Sequence, residues 1–141
     1  MGILVQNLAK RGCITIKEDS HINELIELLN LNKIGCVAVV KKNNSIIVGI
    51  ISERDIIRNY EKISKNKNII VSEIMTHRVL SCTTKTSSKD IMEMMTKNRI
   101  RHIPIIENKK LLGIVSIGDV VNRIIENYAT EAKYLREYIY N

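Results

Sequence analysis

The sequence predicts an α/β protein built from two β-α-β-β-α motifs that pack about a pseudo-two-fold axis through their sheets. The main observation is an internal repeat. The run Gly49–Asp55 returns as Gly113–Asp119, with the glycine, an apolar pair, the serine and the aspartate in register. In both halves, apolar stretches of strand length also alternate with segments in which apolar residues recur at helical spacing.

Each copy opens with a short apolar stretch, Cys13–Ile16 or Val79–Cys82, which predicts a first strand. A polar run follows and places Ser20 or Thr86 at a predicted helix start. Apolar residues at three- and four-residue spacing then predict the helix itself. These residues are Ile22, Leu25, Ile26 and Leu29 in the first copy and Ile91, Met94 and Met95 in the second.

The second half of each copy predicts a hairpin that leads into a helix. The runs Cys36–Val40 and His102–Ile106 predict buried strands, each followed by a polar turn. Matching residues are 66 positions apart before the turns and 64 after them, so the second hairpin is two residues shorter. The returning apolar strand ends at the Ser-x-x-Asp motif, where the last helix of each copy is expected to begin.

The repeat divides the chain into two parts that together form one module. Residues 1–68 are predicted to hold the first motif with its lead-in and a linker, and residues 69–141 the second motif with an extended C-terminal helix. The Lys- and Asn-rich segment 59–68 predicts a solvated linker. Short helical turns are expected at 71–76 and at 5–10. Because copies of about 60 residues bury little surface alone, we expect them to share a core across their sheets.

Composition narrows the class of protein. No apolar run approaches the roughly 18 residues of a membrane span, and the N-terminus lacks the apolar h-region of a secretory signal, so we expect a cytoplasmic protein without a membrane partner. The three cysteines are far apart, and no histidine has a second ligand at metal-like spacing, so neither a metal nor a cofactor is expected. No catalytic triad, Walker A motif or dinucleotide fingerprint is recognisable, which predicts that the chain is not an enzyme.

The formal net charge of +7 offers an alternative function, a nucleic-acid-binding regulator that uses the basic surface. The basic residues are spread along the chain. There is no Trp or Phe, and none of the five Tyr residues lies among basic residues on a predicted strand, as base stacking would need. We therefore expect a solvated basic face and do not favour nucleic acid as a partner.

The repeated Ser-x-x-Asp motif has two interpretations. A strand that leads into a helix N-terminus presents free backbone N–H groups and a positive dipole end, which suits a phosphate. A carboxylate there suits two vicinal hydroxyls, and the serine hydroxyl can join the N–H groups around a phosphate. Alternatively, the serine and the aspartate only cap the helix, as in a capping box.

The sequence resembles a tandem pair of cystathionine-β-synthase (CBS) domains, the arrangement called a Bateman module. The resemblance rests on Gly49–Asp55, Ile74–Thr76, Arg99–Pro104 and Gly113–Asp119, and it covers nearly the whole chain. It implies that adenosine-containing ligands bind in the cleft between the motifs, where each aspartate holds the ribose hydroxyls and each serine faces the phosphate. The residues concerned are Ser52, Asp55, Ser116 and Asp119.

The resemblance also implies an apolar adenine slot between the opening strand and the second strand of each copy. The residues assigned to it are Thr15, Ile16, Val37 and Ala38 in the first copy and Cys82, Thr83, Ile103 and Pro104 in the second. For Pro104, an edge-strand or bulge role is the alternative to ligand contact.

The two half-sites differ in basic residues. The second copy has Arg101 and His102 where the first has Gly35 and Cys36. Because arginine binds phosphate in a bidentate manner, we expect the site with Ser116 and Asp119 to bind more tightly. The first copy instead has Arg54 inside its closing motif. Exposure to solvent is the alternative for both arginines.

These observations predict a non-catalytic regulatory or sensor module that binds AMP, ATP or a related adenosyl compound and acts on an unidentified target protein. A structural dimer whose pockets have lost their ligand is a further alternative. A long apolar stripe on the C-terminal helix predicts a homodimer, with folding back onto its own module as the alternative. The stripe comprises Val121, Ile124, Ile125, Tyr128, Ala132, Leu135 and Ile139.

Overall fold

The computed structural model describes residues 3–140 and has the predicted mixed α/β architecture with two related motifs. The first part contains α1 (Ile3–Arg11), β1 (Thr15–Lys17), α2 (Ile22–Asn32), β2 (Cys36–Val40), β3 (Ile47–Ser52), α3 (Glu53–Arg58) and α4 (Tyr60–Lys65). The second contains a 3-10 turn (Val71–Glu73), α5 (Ser88–Asn98), β4 (His102–Glu107), β5 (Lys110–Ser116) and α6 (Ile117–Tyr140).

The first copy forms a three-stranded sheet in the order β1-β2-β3. Strand β1 runs parallel to β2, with Thr15 opposite Ala38, and β2 pairs with β3 in an antiparallel hairpin. Helix α2 begins one residue later than predicted. Its N-cap is His21, whose Nδ1 accepts a hydrogen bond from the Asn23 N–H at 3.2 Å. Ser20 is therefore not the cap.

The second copy has only the antiparallel hairpin of β4 and β5. The predicted opening strand at 79–82 is wrong in extent, since it is reduced to one parallel bridge between Cys82 and Ile105. The chain turns away directly after Cys82, because the Thr83 N–H donates to Thr86 Oγ1 at 3.0 Å and the Thr86 N–H donates to the Thr83 carbonyl at 3.1 Å. With Thr86 held in this turn, Ser87 caps α5.

The predicted linker is solvated, with all of residues 59–68 exposed except Asn59 and Ile63, but it is not irregular, because α4 occupies residues 60–65. Ile63 packs against the first core, while the charged residues of this helix remain exposed. A lysine-rich segment is thus compatible with a short amphipathic helix when one apolar side chain has a surface to cover. The helical turn predicted at 71–76 is confirmed as the 3-10 turn.

The buried apolar side chains form two clusters, so the expected single shared core is wrong. The lead-in segments are exchanged between the copies. Residues 69–75 precede the second copy but pack in the first core, whereas Val5 and Leu8 of α1 precede the first copy but pack in the second core. The short turn expected at 5–10 is accordingly a nine-residue helix. It lies against β5, where the position of a Cβ on Gly113 would be 3.3 Å from the Leu8 carbonyl oxygen.

Backbone hydrogen bonds attach the second lead-in to β3. The Ile50 N–H donates to the Thr76 carbonyl at 3.1 Å, and the Thr76 N–H donates back to the Ile50 carbonyl at 2.9 Å. This exchange places the residues after α1 beside the closing motif of the second copy, and residues 76–80 beside that of the first. Within residues 3–140, no helix is both long enough and apolar enough to span a bilayer.

Candidate functional site

Two clefts lie between the copies within residues 3–140. The large cleft, of about 670 Å³, is lined by Arg11, Gly12, Cys13, Ile14, Lys33, Ile34, Gly35, Cys36, His102, Ile114, Ser116 and Asp119. The arginine cleft, of about 140 Å³, is lined by Cys36, Ile50, Ser52, Arg54, Asp55, Arg58, Thr76, Arg78, Val79, Leu80, Arg99, Ile100, Arg101, His102 and Pro104. Each cleft combines the closing motif of one copy with the lead-in and the second-strand entry of the other copy.

The closing motifs of both copies share two hydrogen bonds to the aspartate. The backbone N–H of Ser52 donates to Asp55 Oδ2 at 2.8 Å, and that of Ser116 donates to Asp119 Oδ2 at 2.9 Å. Each serine hydroxyl also donates to the same Oδ2, at 3.1 and 2.9 Å. Both pairs therefore close a capping arrangement at the start of α3 and α6.

Capping leaves part of each carboxylate unused. Within residues 3–140, every hydrogen bond that Asp55 and Asp119 accept through their side chains goes to Oδ2. The other oxygen, Oδ1, remains able to accept a bond from a hydroxyl. Capping and ligand binding are thus compatible functions of one carboxylate.

The helix N-termini offer fewer free donors than the sequence suggested. The first N–H of α3, on Glu53, donates to the Gly35 carbonyl at 2.9 Å, and the first N–H of α6, on Ile117, donates to the Arg101 carbonyl at 2.9 Å. A phosphate at either cleft would therefore depend more on side-chain cations than on these first backbone groups.

A third Ser-x-x-Asp sequence shows that the motif by itself does not define a cleft. Ser87 and Asp90 also cap a helix, α5, with the serine hydroxyl donating to Asp90 Oδ2 at 2.8 Å and accepting from the Asp90 N–H at 3.1 Å. Neither residue lines the large cleft or the arginine cleft. Whether a Ser-x-x-Asp motif lines a cleft therefore depends on which residues pack opposite the start of its helix.

The cationic residues are distributed differently from the prediction. Arg101 was expected beside Ser116 and Asp119, but it lies in the cleft of Ser52 and Asp55. The backbone of Arg101 stays beside the closing motif of its own copy, since its carbonyl accepts from the Ile117 N–H, but its side chain lines the opposite cleft. Four further arginines line the same cleft, namely Arg54, Arg58, Arg78 and Arg99.

The large cleft has fewer cations. They are Lys33 and Arg11, and the Arg11 guanidinium lies 3.7 Å from Asp119 Oδ2. The pair is largely solvent-exposed on the arginine side, which limits its contribution to stability. It nevertheless places one positive charge beside the carboxylate at the mouth of the cleft.

The residues assigned to the adenine slots lie elsewhere, apart from Pro104. Ile16, Val37 and Ile103 are buried members of the two cores, Ala38 and Cys82 are also buried, and Thr15 and Thr83 are exposed. None of these seven lines either cleft, whereas Pro104 lines the arginine cleft. These seven side chains point into the cores or to solvent, so their assignment to an adenine slot stays a prediction.

Besides Ile50 in β3 and Ile114 in β5, the clefts are lined by apolar residues that were missed and that precede the strands. Ile14 and Ile34 line the large cleft, and Leu80 and Ile100 line the arginine cleft. These residues match each other at the repeat separation of 66 positions. Ile14 is 38% exposed and Leu80 45% exposed, which is unusual for such side chains in corresponding positions of a repeat. The repeat alignment was the signal that could have identified them.

Cys36 and His102 line both clefts. Burial raises the pKa of the Cys36 thiol far above its ordinary value, and the nearby charge of Asp55 adds to the increase. Burial lowers the pKa of His102, although the carboxylates of Glu53 and Asp119 partly oppose this. Residues 3–140 contain no group of three or more His, Cys, Asp or Glu side chains arranged to hold a metal ion.

Residues 5–62 and 71–126 each match the CBS domain family. The chain belongs to the CBS domain family. Among curated relatives, the CBS domain-containing protein CBSX3, mitochondrial, of Arabidopsis thaliana is 34% identical over 125 residues, which is 86% of this chain and 61% of the relative. The chain spans only 44% of a second relative, the uncharacterized protein MJ1225 of Methanocaldococcus jannaschii, at 29% identity over 89% of this chain.

Solved structures support the same assignment. The CBS-domain containing protein ATU1752 from Agrobacterium tumefaciens aligns with a TM-score of 0.76 at 35% identity and covers 84% of this CBS chain and 90% of its own. A protein with CBS domains from Burkholderia ambifaria MC40-6 aligns with a TM-score of 0.79 at 30% identity, over 89% and 93% of the two chains. The two related motifs are therefore a pair of CBS domains.

Proposed function

We propose that this CBS pair is a non-catalytic regulatory module that binds adenosyl compounds such as AMP or ATP in the two clefts between its domains. The observation that supports this most directly is the composition of the clefts. Each has a carboxylate with a free Oδ1, an exposed aliphatic side chain at the matching position, and at least one cation. These groups correspond to a ribose, a base and a phosphate.

Ligands of other family members agree with this chemistry. The CBS domain protein PAE2072 from Pyrobaculum aerophilum was solved in complex with AMP. The CBS domain pair of protein MJ0100 was solved with 5′-methylthioadenosine and S-adenosyl-L-methionine. Adenosine is common to these ligands, whereas the phosphate is not, so the nucleoside is the recognised part.

The large cleft is suited to an adenosyl ligand with one phosphate or none. Its volume of about 670 Å³ lies within the range of small-molecule pockets, roughly 300–1,000 Å³. The base packs against Ile14 and Ile34, and the ribose hydroxyls donate to Asp119 Oδ1. Arg11 and Lys33 supply the positive charge for a single phosphate.

The arginine cleft is suited to a ligand with several phosphates. Five arginines surround Ser52 and Asp55, and arginine is the side chain best adapted to bidentate phosphate binding. Its volume of about 140 Å³ is smaller than a nucleotide pocket, so the exposed arginine side chains move apart when the ligand enters. The site that binds ATP more tightly is thus the one containing Asp55. The module acts as a homodimer on an unidentified target protein.

Calorimetric titration of the folded protein tests this proposal. Asp119→Ala should weaken AMP binding about 10- to 100-fold, the effect of losing a hydrogen bond to a charged group, while leaving ATP binding in the other cleft largely intact. Asp55→Ala should weaken ATP binding in the arginine cleft and leave AMP binding in the large cleft largely intact. Asp90→Ala is the matched control, because Asp90 accepts the hydroxyl of a capping serine three residues earlier, as Asp55 and Asp119 do, but lies outside both clefts.

Base specificity is tested by a thermal-shift panel of AMP, ADP, ATP, NAD, S-adenosylmethionine, GTP and UTP. Adenosyl compounds should raise the melting temperature more than GTP or UTP. Equal shifts for all nucleotides would show a non-specific phosphate effect. Normal binding by both single variants and by the Asp55→Ala, Asp119→Ala double variant would leave capping as the sole function of the motif.

A further inference from the structure

Helix α6 extends well beyond the domain that it belongs to. Val120 is its only buried residue within the described part of the chain, and Ile124 packs partly against the second core. Beyond this point the apolar side chains are uncovered. Ile125 is 59% exposed, Leu135 56% and Ile139 73%. The predicted stripe therefore does not fold back on its own module.

The exposed stripe has the spacing of a coiled-coil seam. Its members alternate by four and three residues, which corresponds to the a and d positions of a heptad and a period of 3.5 residues. These seam residues are Val121, Ile125, Tyr128, Ala132, Leu135 and Ile139. The first turn of α6 is already held in the second core, so the costly nucleation of the helix is supplied by the domain.

Three of the six seam residues are of the types that favour two parallel helices. Ile125 and Ile139 occupy a positions, and Leu135 occupies a d position. A β-branched residue at a combined with leucine at d is the combination that favours parallel dimers.

Charges beside the seam favour the same orientation. In this register Glu131 is at a g position and Arg136 at the e position of the next heptad. In a parallel dimer these two positions face each other across the interface, so two Glu–Arg pairs form by symmetry. Both residues are exposed, and neither forms an ion pair within residues 3–140.

We propose that a second copy of this chain covers the stripe, and that the two α6 helices form a parallel, in-register coiled coil from Val121 to Ile139. The exposed apolar face, the heptad spacing and the complementary charges support this occupant. The interface lies outside both clefts, so the proposal is independent of ligand binding.

Light scattering on the full chain at micromolar concentration tests whether the seam residues hold two copies together. The wild-type protein should have twice the chain mass of 16.1 kDa. Leu135→Lys should weaken association about 100-fold or more, because each copy loses a buried leucine. Tyr134→Lys is the matched control, since Tyr134 is 67% exposed but lies off the seam. Circular dichroism should show that both variants remain folded.

Cross-linking tests the orientation. In a Cys13→Ser background, Ile139→Cys should form a disulfide-linked dimer with oxidised glutathione as the oxidant, which takes up the electrons as two molecules of reduced glutathione. Only a parallel, in-register arrangement brings position 139 of both copies together, because an antiparallel seam would place the two copies of this residue at opposite ends. Tyr134→Cys should not cross-link.

Charge exchange provides an independent test. Glu131→Arg and Arg136→Glu should each weaken their own homodimer by about three- to tenfold, and an equimolar mixture of the two variants should form a heterodimer. A monomeric wild-type chain would overturn the proposal, as would a dimer that Leu135→Lys leaves intact. A dimer sensitive to Leu135→Lys that fails to cross-link through position 139 would overturn the parallel orientation.

Discussion

Cys36 and His102 occupy equivalent positions in the two CBS domains, and both line the two clefts. Cys36 begins β2 opposite Ser52, and His102 begins β4 opposite Ser116. Burial keeps the thiol protonated and disfavours the charged imidazolium, because it raises the pKa of Cys36 and lowers that of His102. The wall shared by the clefts is therefore uncharged at neutral pH. On acidification, His102 is the side chain of this pair that gains a positive charge.

The position of His102 predicts a pH-dependent stability. Because burial lowers its pKa in the folded state, the unfolded chain binds more protons just below the ordinary value of about 6.5. The stability that neutral His102 contributes to the folded protein is fully present above that pH and is lost as the pH falls towards the folded-state pKa. Urea denaturation should show that the free energy of unfolding falls more between about pH 8 and pH 5 for the wild type than for His102→Gln.

Other groups also titrate in this range, so the comparison between the two proteins is the relevant measurement. The facing charges are Glu53 and Asp119, which raise the pKa of His102, and Arg101, which lowers it. An identical pH dependence in wild type and His102→Gln would contradict the expected effect of burial.

The arginine cleft predicts a variant whose loss of affinity depends on the phosphates of the ligand. Arg101→Gln should weaken ATP binding by about tenfold and adenosine binding much less, because only the phosphates contact the guanidinium. Lys110→Gln removes the same charge from an exposed position outside both clefts and serves as the control. Calorimetry with both ligands measures the difference. Equal weakening of ATP and adenosine would show that Arg101 affects the fold of the cleft instead.

Gly49 should not tolerate a side chain. A Cβ there would lie 2.7 Å from both Met75 Sδ and the Thr76 carbonyl oxygen, in the segment that attaches the second lead-in to β3. Gly49→Ala should lower the free energy of unfolding by about 1–3 kcal/mol, measured by urea denaturation. At Gly118 the nearest atom would be 3.7 Å away, so Gly118→Ala should be neutral or stabilise the helix by up to about 1 kcal/mol. Equal changes in the free energy of unfolding for Gly49→Ala and Gly118→Ala would contradict the close packing at Gly49.

Cysteine labelling can report occupation of the large cleft. Cys13 lines this cleft and is partly exposed, whereas Cys82 is buried outside both clefts. Burial raises the pKa of both thiols, that of Cys82 to about 11, so both should react slowly near neutral pH. Saturating AMP should slow the labelling of Cys13 by an aromatic disulfide reagent without affecting Cys82. Unchanged Cys13 labelling would place the ligand outside the large cleft.

The sequence by itself determined the repeat, the two hairpins, the capping geometry of both Ser-x-x-Asp motifs and the family. These features are local or depend on residue identity. The capping bonds join Ser52 to Asp55 and Ser116 to Asp119, only three residues apart, so short-range rules suffice. The amphipathic pattern of α6 was likewise visible as apolar spacing before its exposure was known.

Only the tertiary structure decided which parts of the two copies meet. Apolar periodicity shows which face of a segment is buried, but it does not show which of two similar surfaces covers that face. Both lead-ins carry apolar residues, and they pack on the opposite copy from the one they precede. The Arg101 side chain likewise lines the cleft of Asp55, although the Arg101 carbonyl accepts a hydrogen bond from Ile117 of its own copy. The composition of each cleft therefore depends on long-range packing that equivalent repeats leave undetermined in sequence.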